Sequence, residues 1–251
     1  VADAALGKVW EPPATVAVDV LPAAFFALVC DGMGGEAGGA LASGLAVDAT
    51  AAAMRAAYEA RSALPPGSLS LVEARAARAL VASLEAASAR IKQAAREEPA
   101  YARMGTTATL ATVIGSSLLC AQVGDSRAYV FHAGALVQVT RDQTMLELLR
   151  SSGALAPGGG TDMVGAHVIL QALGSSAQLD VPITRAPLVP GDRVLLCSDG
   201  LHGCVTDDEI ASVLRSLTSA ADACDALVAL ANEHGGPDNI SVVVFDVDEE
   251  R

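Results

Sequence analysis

The order of apolar runs predicts an α+β fold for this 251-residue chain. It is a central antiparallel β-sandwich flanked on each face by a pair of helices, four layers stacked α-β-β-α. Three observations carry that reading. Two long helical stretches rich in alanine stand early in the chain. A series of short β-prone runs separated by tight turns follows, the pattern of an antiparallel meander. A second pair of helical stretches then precedes a closing strand. Sheets this apolar must be covered on both faces, and a helix pair outside each of two packed sheets provides the cover.

Each element has a local reason. Residues 23–30 form a short apolar run that stops at Asp31-Gly32, a buried strand ending in a turn. Residues 36–63 contain no proline and read as one helix, which Leu64-Pro65-Pro66-Gly67 ends. Ser70 and Glu73 have the spacing of a capping box, opening a second helix that runs to about Glu98, before Pro99. Residues 106–114, 118–123, 127–132 and 136–140 read as strands, separated by Gly115-Ser116, Gly124-Asp125 and Ala133-Gly134. Residues 142–152 look helical. The glycine-rich stretch 153–165 reads as a mobile surface segment. Strands return at 180–186 and 193–197. Thr206 and Glu209 cap a further helix, Ser219 opens another that ends near Gly235-Gly236, and 240–247 closes the chain as a strand. With no linker long enough to divide it, 1–251 is expected to be a single domain.

Composition narrows the partners. Lys plus Arg number 16 against 29 Asp plus Glu, a net charge of −13. Holding nucleic acid by phosphate neutralisation needs a basic face, and docking on anionic lipid needs one too, so neither partner is expected. Mean hydropathy is +0.41. The longest apolar stretch, 14–30, is broken by Asp19 and Pro22 and falls short of a membrane span. The five cysteines form no CxxC pair and read as buried, reduced thiols of a cytoplasmic protein. The chain opens Val1-Ala2-Asp3, with no signal-peptide pattern and no Met, so it is expected to start downstream of the natural first residue.

The acids are unevenly placed. Asp31, Asp125, Asp199 and Asp238 each stand at the boundary of an apolar run. One Asp-Gly after a strand is ordinary turn chemistry. Four such carboxylates near a core are costly unless paired, and basic partners are scarce. If the strand ends converge, a divalent cation resolves the repulsion. Carboxylates and carbonyls, with no His or Cys cluster at ligand spacing, suit Mg²⁺ or Mn²⁺ rather than zinc.

These residues sit in motifs that resemble one family. Asp31-Gly32-Met33-Gly34-Gly35, with Gly39 and Ala42-Ser43, is similar to the DGMGGxxxGxxAS signature of bacterial PPM/PP2C-type protein Ser/Thr phosphatases. Met104-Gly105-Thr106-Thr107, Val123-Gly124-Asp125-Ser126-Arg127, Asp142-Gln143 with Glu147-Leu148, Gln171-Ala172-Leu173-Gly174, Ser198-Asp199-Gly200-Leu201 and Gly236-Pro237-Asp238-Asn239-Ile240 follow in family order. The resemblance implies a PP2C-like sandwich with two Mn²⁺ or Mg²⁺ ions at one end and a flap-like insertion at about 143–170. It implies that Asp31 bridges both ions, that the Gly32 carbonyl binds one, and that Asp199 and Asp238 bind the other. Asp125, with Asp199, contributes to a third, weaker ion. Asp31, Asp199 and Asp238 are the candidate catalytic residues. The implied reaction is hydrolysis of phosphoserine or phosphothreonine by a metal-bridging water. The implied substrates are phosphorylated proteins, targets of bacterial Ser/Thr kinases, and the implied state is a monomer.

Departures from the motifs keep a second reading open, a catalytically weak regulatory or binding module. Asp3 is the candidate for the acid of the family's opening motif, as a further metal ligand. The phosphate-binding Arg of that motif would stand upstream of Val1, with Arg127 or Arg141 as the alternative phosphate holder. Ala40 stands where Glu is usual, and His202 where Thr is common.

Overall fold

The protein is described by a computed structural model covering residues 2–3, 8–9, 25–62, 69–155, 165 and 167–248. In chain order the elements begin with the short strands β1 (Ala2–Asp3) and β2 (Lys8–Val9), then β3 (Phe25–Val29) and β4 (Gly32–Met33). The long helices α1 (Glu36–Ser62) and α2 (Leu69–Glu97) follow, with a 3₁₀ turn at Pro99–Tyr101. The meander is β5 (Gly105–Thr106), β6 (Ala108–Ile114), β7 (Ser117–Val123), β8 (Arg127–His132) and β9 (Ala135–Gln138). After α3 (Met145–Ser151) come β10 (Ile183–Pro187), β11 (Arg193–Cys197), α4 (Asp199–His202), α5 (Asp207–Ser216), α6 (Ala220–Glu233) and β12 (Val242–Asp246).

Two antiparallel sheets result. One has the order β10-β7-β6-β3-β1-β2, the other β12-β11-β8-β9. A third pairing, β4 with β5, sets Gly32 opposite Thr106. Pro187 lies in β10, at a sheet edge where its missing N–H costs no ladder bond.

Strand alternation makes the layers. In β3, Phe26 and Leu28 pack under α1 and α2 with Leu80, Leu84 and Ile91, while Ala27 and Val29 face the second sheet. In β8 and β11, Val130, Val194 and Leu196 fill the space between the sheets. Their neighbours Tyr129, Leu195 and Cys197 turn to Ile210, Leu214 and Leu227 of α5 and α6. A period-2 side-chain pattern buried on both faces gives three apolar layers between four structural ones. Phe25 and Phe245 meet edge to face across the sheets, with ring centroids 4.7 Å apart.

The four-layer sandwich expected from the sequence is the observed one, with local differences. Ser70 lies inside the first turn of α2 rather than ahead of it. Glu73 bonds Arg185 across to β10 at 3.1 Å. Helix α3 starts at Met145, not at 142, because Thr144 caps it and Asp142 is held by Arg127. Residues 156–164, most of the segment expected to be mobile, lie outside the described residues. Cys120 and Cys197 are buried, whereas Cys30, Cys204 and Cys224 are only half-buried.

The membrane question moves to a different segment. Within α1, residues 37–60 are long and apolar enough to cross a bilayer. Yet Ala42, Ala46 and Ala51 are in the core against α2 and the first sheet, as a packing helix requires.

Leu110 is fully buried under the helix pair, and Val137 is 56% exposed on β9. Leu110→Ala should therefore cost about 2–5 kcal/mol of unfolding free energy, and Val137→Ala less than about 0.5 kcal/mol. Denaturant melts of the two variants check the assignment of core and surface.

Candidate metal centre

Strand register brings the four sequence-predicted aspartates to one end of the sandwich. Val29 pairs with Thr109 at the start of β6, so Asp31 leaves β3 where β6 begins. Ala108 pairs with Val123, so β7 ends at the same place and hands the chain to Asp125. Arg127 pairs with Cys197, and Cys197 with Val242. Asp199 thus follows β11, and Asp238 precedes β12, at that same end. Antiparallel pairing alone does this, since every second strand end falls on one side.

Hydrogen bonds then fix the turns. The Asp31 N–H donates to Thr107 Oγ1 at 3.0 Å, and Thr106 Oγ1 and the Thr107 N–H both donate to the Asp31 carbonyl at 2.8 Å. Thr107 and Ser126 share a hydroxyl contact of 2.7 Å, which ties the Asp31 turn to the Asp125 turn. Gln122 Nε2 donates to the Ser126 carbonyl at 2.8 Å, and Gln143 Oε1 accepts from the Gly124 N–H at 2.8 Å. Ser198 Oγ donates to the Asn239 carbonyl at 3.0 Å and accepts from the Ser241 N–H at 3.0 Å, joining the Asp199 and Asp238 turns.

Two glycines are required by close approach. A Cβ on Gly32 would run into the Gly39 backbone, and one on Gly200 into the Asn239 carbonyl. The Gly32 and Gly200 positions therefore seat the Asp31 turn on α1 and the Asp199 turn on the Asp238 loop.

The carboxylates feel one another. Burial, then a hydrogen bond with Asp199 and the charges of Asp199, Asp238 and Asp125, push Asp31 up to about 8. Burial and the charges of Asp199 and Asp142 push Asp125 up to about 6. Asp125 is buried at 8% exposure. Asp199 Oδ1 is buried with no hydrogen-bond partner among the described residues. Burial pulls the His202 imidazole below its ordinary range, so it is neutral near pH 7, and its Nε2 lies 3.1 Å from the Asp125 carbonyl.

Among the described residues, no three His, Cys, Asp or Glu side chains close into a ligand set as they stand. The donors converge without forming a finished cage. Their chemistry nonetheless fits a hard divalent cation. All four are carboxylates, they destabilise one another's charges, and one buried oxygen lacks a partner among the described residues.

Asp3 corrects the sequence reading. Its strand pairs with β3 so that Asp3 stands opposite Phe25, at the end of the strand away from Asp31. The structure does not bring its backbone to the other four aspartates. Nor are the two alternative phosphate holders free. Arg127 holds Asp142 with contacts of 2.9 and 2.7 Å and donates to Tyr129 Oη, and Arg141 pairs with Glu147 at 2.9 Å. Local pattern does not encode the clamp roles of Gln122 and Gln143; for Gln122 the signal is a polar residue near the end of the apolar strand β7.

Residues 15–233 match the family Protein phosphatase 2C. The chain belongs to that family. It is 34% identical over 219 residues to the serine/threonine protein phosphatase PstP of Mycobacterium tuberculosis, covering 87% of this chain and 40% of PstP. The chain thus spans well under half the length of that relative. It is 30% identical over 219 residues to the serine/threonine phosphatase stp of Listeria welshimeri, covering 87% of this chain and 83% of stp. Among solved structures, the M. tuberculosis PstP/Ppp phosphatase superposes with a TM-score of 0.76 at 32% identity, covering 89% of this chain and 88% of that one. The catalytic domain of PstP in complex with two manganese ions gives 0.71 at 34% identity, again over 89% and 88%. The PP2C family match ends at 233, before Asp238, so the fourth carboxylate rests on the DNI motif and on the register of β12.

The raised pKa values predict a pH effect of definite sign. A carboxyl whose folded pKa lies above its unfolded value binds more protons when folded, so stability falls as pH rises between the two values. In chelator, wild type should lose stability relative to Asp31→Asn from about pH 4 to about pH 8. Thermal melts of both proteins across that range check it, and parallel curves would contradict the coupling.

Proposed function

We propose that this chain is a metal-dependent phosphoprotein phosphatase that hydrolyses phosphoserine and phosphothreonine. One observation carries the reading. Asp31, Asp125, Asp199 and Asp238 converge from four separate turns, and a buried Asp199 oxygen has no partner among the described residues. Membership of the Protein phosphatase 2C family supports it, as does the manganese complex of the related PstP catalytic domain.

In this reading Asp31, the Gly32 carbonyl, Asp199 and Asp238 hold two Mn²⁺ or Mg²⁺ ions, and Asp125 with Asp199 holds a third, weaker one. Bound there, the ions supply an acidified water for attack on phosphorus and neutralise charge on the phosphoryl oxygens. The chain's own residues do the rest. Asp31, pushed up to about 8 chiefly by burial, would have to lose its proton for the site to carry full negative charge toward a cation. The threonine and serine hydroxyls hold the carboxylate-bearing turns still. A protein of charge −13 repels a phosphomonoester dianion, and local cationic charge is what reverses that.

Four of the five cysteines are poor nucleophiles. Burial pushes Cys30, Cys120 and Cys197 up to about 12 and Cys224 up to about 11, leaving essentially no thiolate near neutral pH. We also take residues 1–251 as one domain, with 143–170 as an insertion. Its base is pinned where Gln143 exchanges hydrogen bonds with Gly124 and where Thr144 bridges Ile169. Cytoplasmic location and a monomeric state belong to the same proposal.

A phosphothreonine peptide assay tests it. Phosphate release should require Mn²⁺ or Mg²⁺, stop with chelator and return on adding either ion. Asp31→Ala, Asp199→Ala and Asp238→Ala should each lower turnover by roughly two orders of magnitude or more. Turnover that survives complete metal removal would overturn the reading.

A further inference from the structure

His202 stands outside every role given so far, yet it joins two of the carboxylate-bearing segments. It lies on α4, the single turn that begins at Asp199, and three residues apart on a helix puts the two on neighbouring positions of one face. Its Nε2 donates to the Asp125 carbonyl at 3.1 Å. Among the described residues it is the one donor that this carbonyl has. The other clamps on the Asp125 turn come from elsewhere: Gln122 from β7, Gln143 from the base of the insertion and Thr107 from the Asp31 side. Only His202 reaches Asp125 from the helix that carries Asp199.

We infer that His202 is a positioning residue that ties Asp125 to Asp199 and so sets how tightly the chain holds the cation those two carboxylates share. The inference rests on the metal reading above. The imidazole is long enough to span the gap, and its contact is to the Asp125 backbone, which leaves the carboxylate free to bind. Among the described residues no hydrogen bond joins His202 to Asp31 or Asp238, so ions that do not use Asp125 should respond less.

The test is calorimetric titration of Mn²⁺ into the whole chain. Three proteins are compared: wild type, His202→Leu, which keeps apolar bulk but has no donor, and His202→Gln, which keeps an N–H donor. The weakest Mn²⁺ event in wild type should weaken about tenfold in His202→Leu and recover in His202→Gln, with the tighter events moved less. Melting temperatures in chelator should stay close for all three, which separates positioning from a general loss of fold. Equal Mn²⁺ affinities in wild type and His202→Leu would overturn the inference, as would equal losses in the Leu and Gln variants. If wild type takes up no Mn²⁺ at all, the metal reading fails and this one with it.

Discussion

Like charge held at close quarters is the constraint on which this site depends. Antiparallel register delivers Asp31, Asp125, Asp199 and Asp238 to one end of the sandwich, and their charges raise one another's proton affinity. Such a cluster is unfavourable for folding at neutral pH unless protons or a cation neutralise it. The fold therefore carries a local instability at its functional end, and the rest of the structure supplies the rigidity that keeps it there. The threonine and serine hydroxyls that pin the turns are worth little individually. Together they leave the carboxylates few ways to move apart.

That rigidity comes from the layered core. Each central strand sends alternate side chains to two different apolar layers, so neither sheet can slip by one residue without exchanging its buried faces. Register is thereby fixed by the hydrophobic pattern, and register places the aspartates. The link from sequence to chemistry is short: apolar alternation sets pairing, and pairing sets which turns meet. The Arg193 guanidinium does a matching job at the opposite end. It binds Asp246 and the carbonyls of Leu214, Leu217 and Thr218, locking β11 and β12 to the end of α5.

Much of this was legible in the sequence because the signals were strong and local. The long helices, the capping box at Thr206 and Glu209 and the meander turns all found their expected places, and the motif aspartates lie at strand ends on one side of the sandwich. What failed did so for physical reasons. Ser70 and Glu73 have capping spacing, but Ser70 lies inside α2 and Glu73 bonds a tertiary partner, Arg185. Asp3 has motif chemistry, but its strand pairs in a register that leaves it opposite Phe25. Arg127 looks like a phosphate holder in one dimension, and in three it is paired to Asp142. Side-chain partners distant in sequence decide each case, and no local pattern encodes them. His202 illustrates the converse: an unremarkable substitution in a motif becomes a bridge once β7, β8 and α4 are packed.

The most direct test of the central claim is whether a cation replaces protons at the aspartate cluster. Mn²⁺ binding at pH 7 can be measured calorimetrically in buffers of different ionisation enthalpy, which reports the protons released. With Asp31 pushed up to about 8, binding should release about one proton per chain, and Asp31→Asn should abolish that release. Mn²⁺ binding with no proton release from wild type would contradict the account.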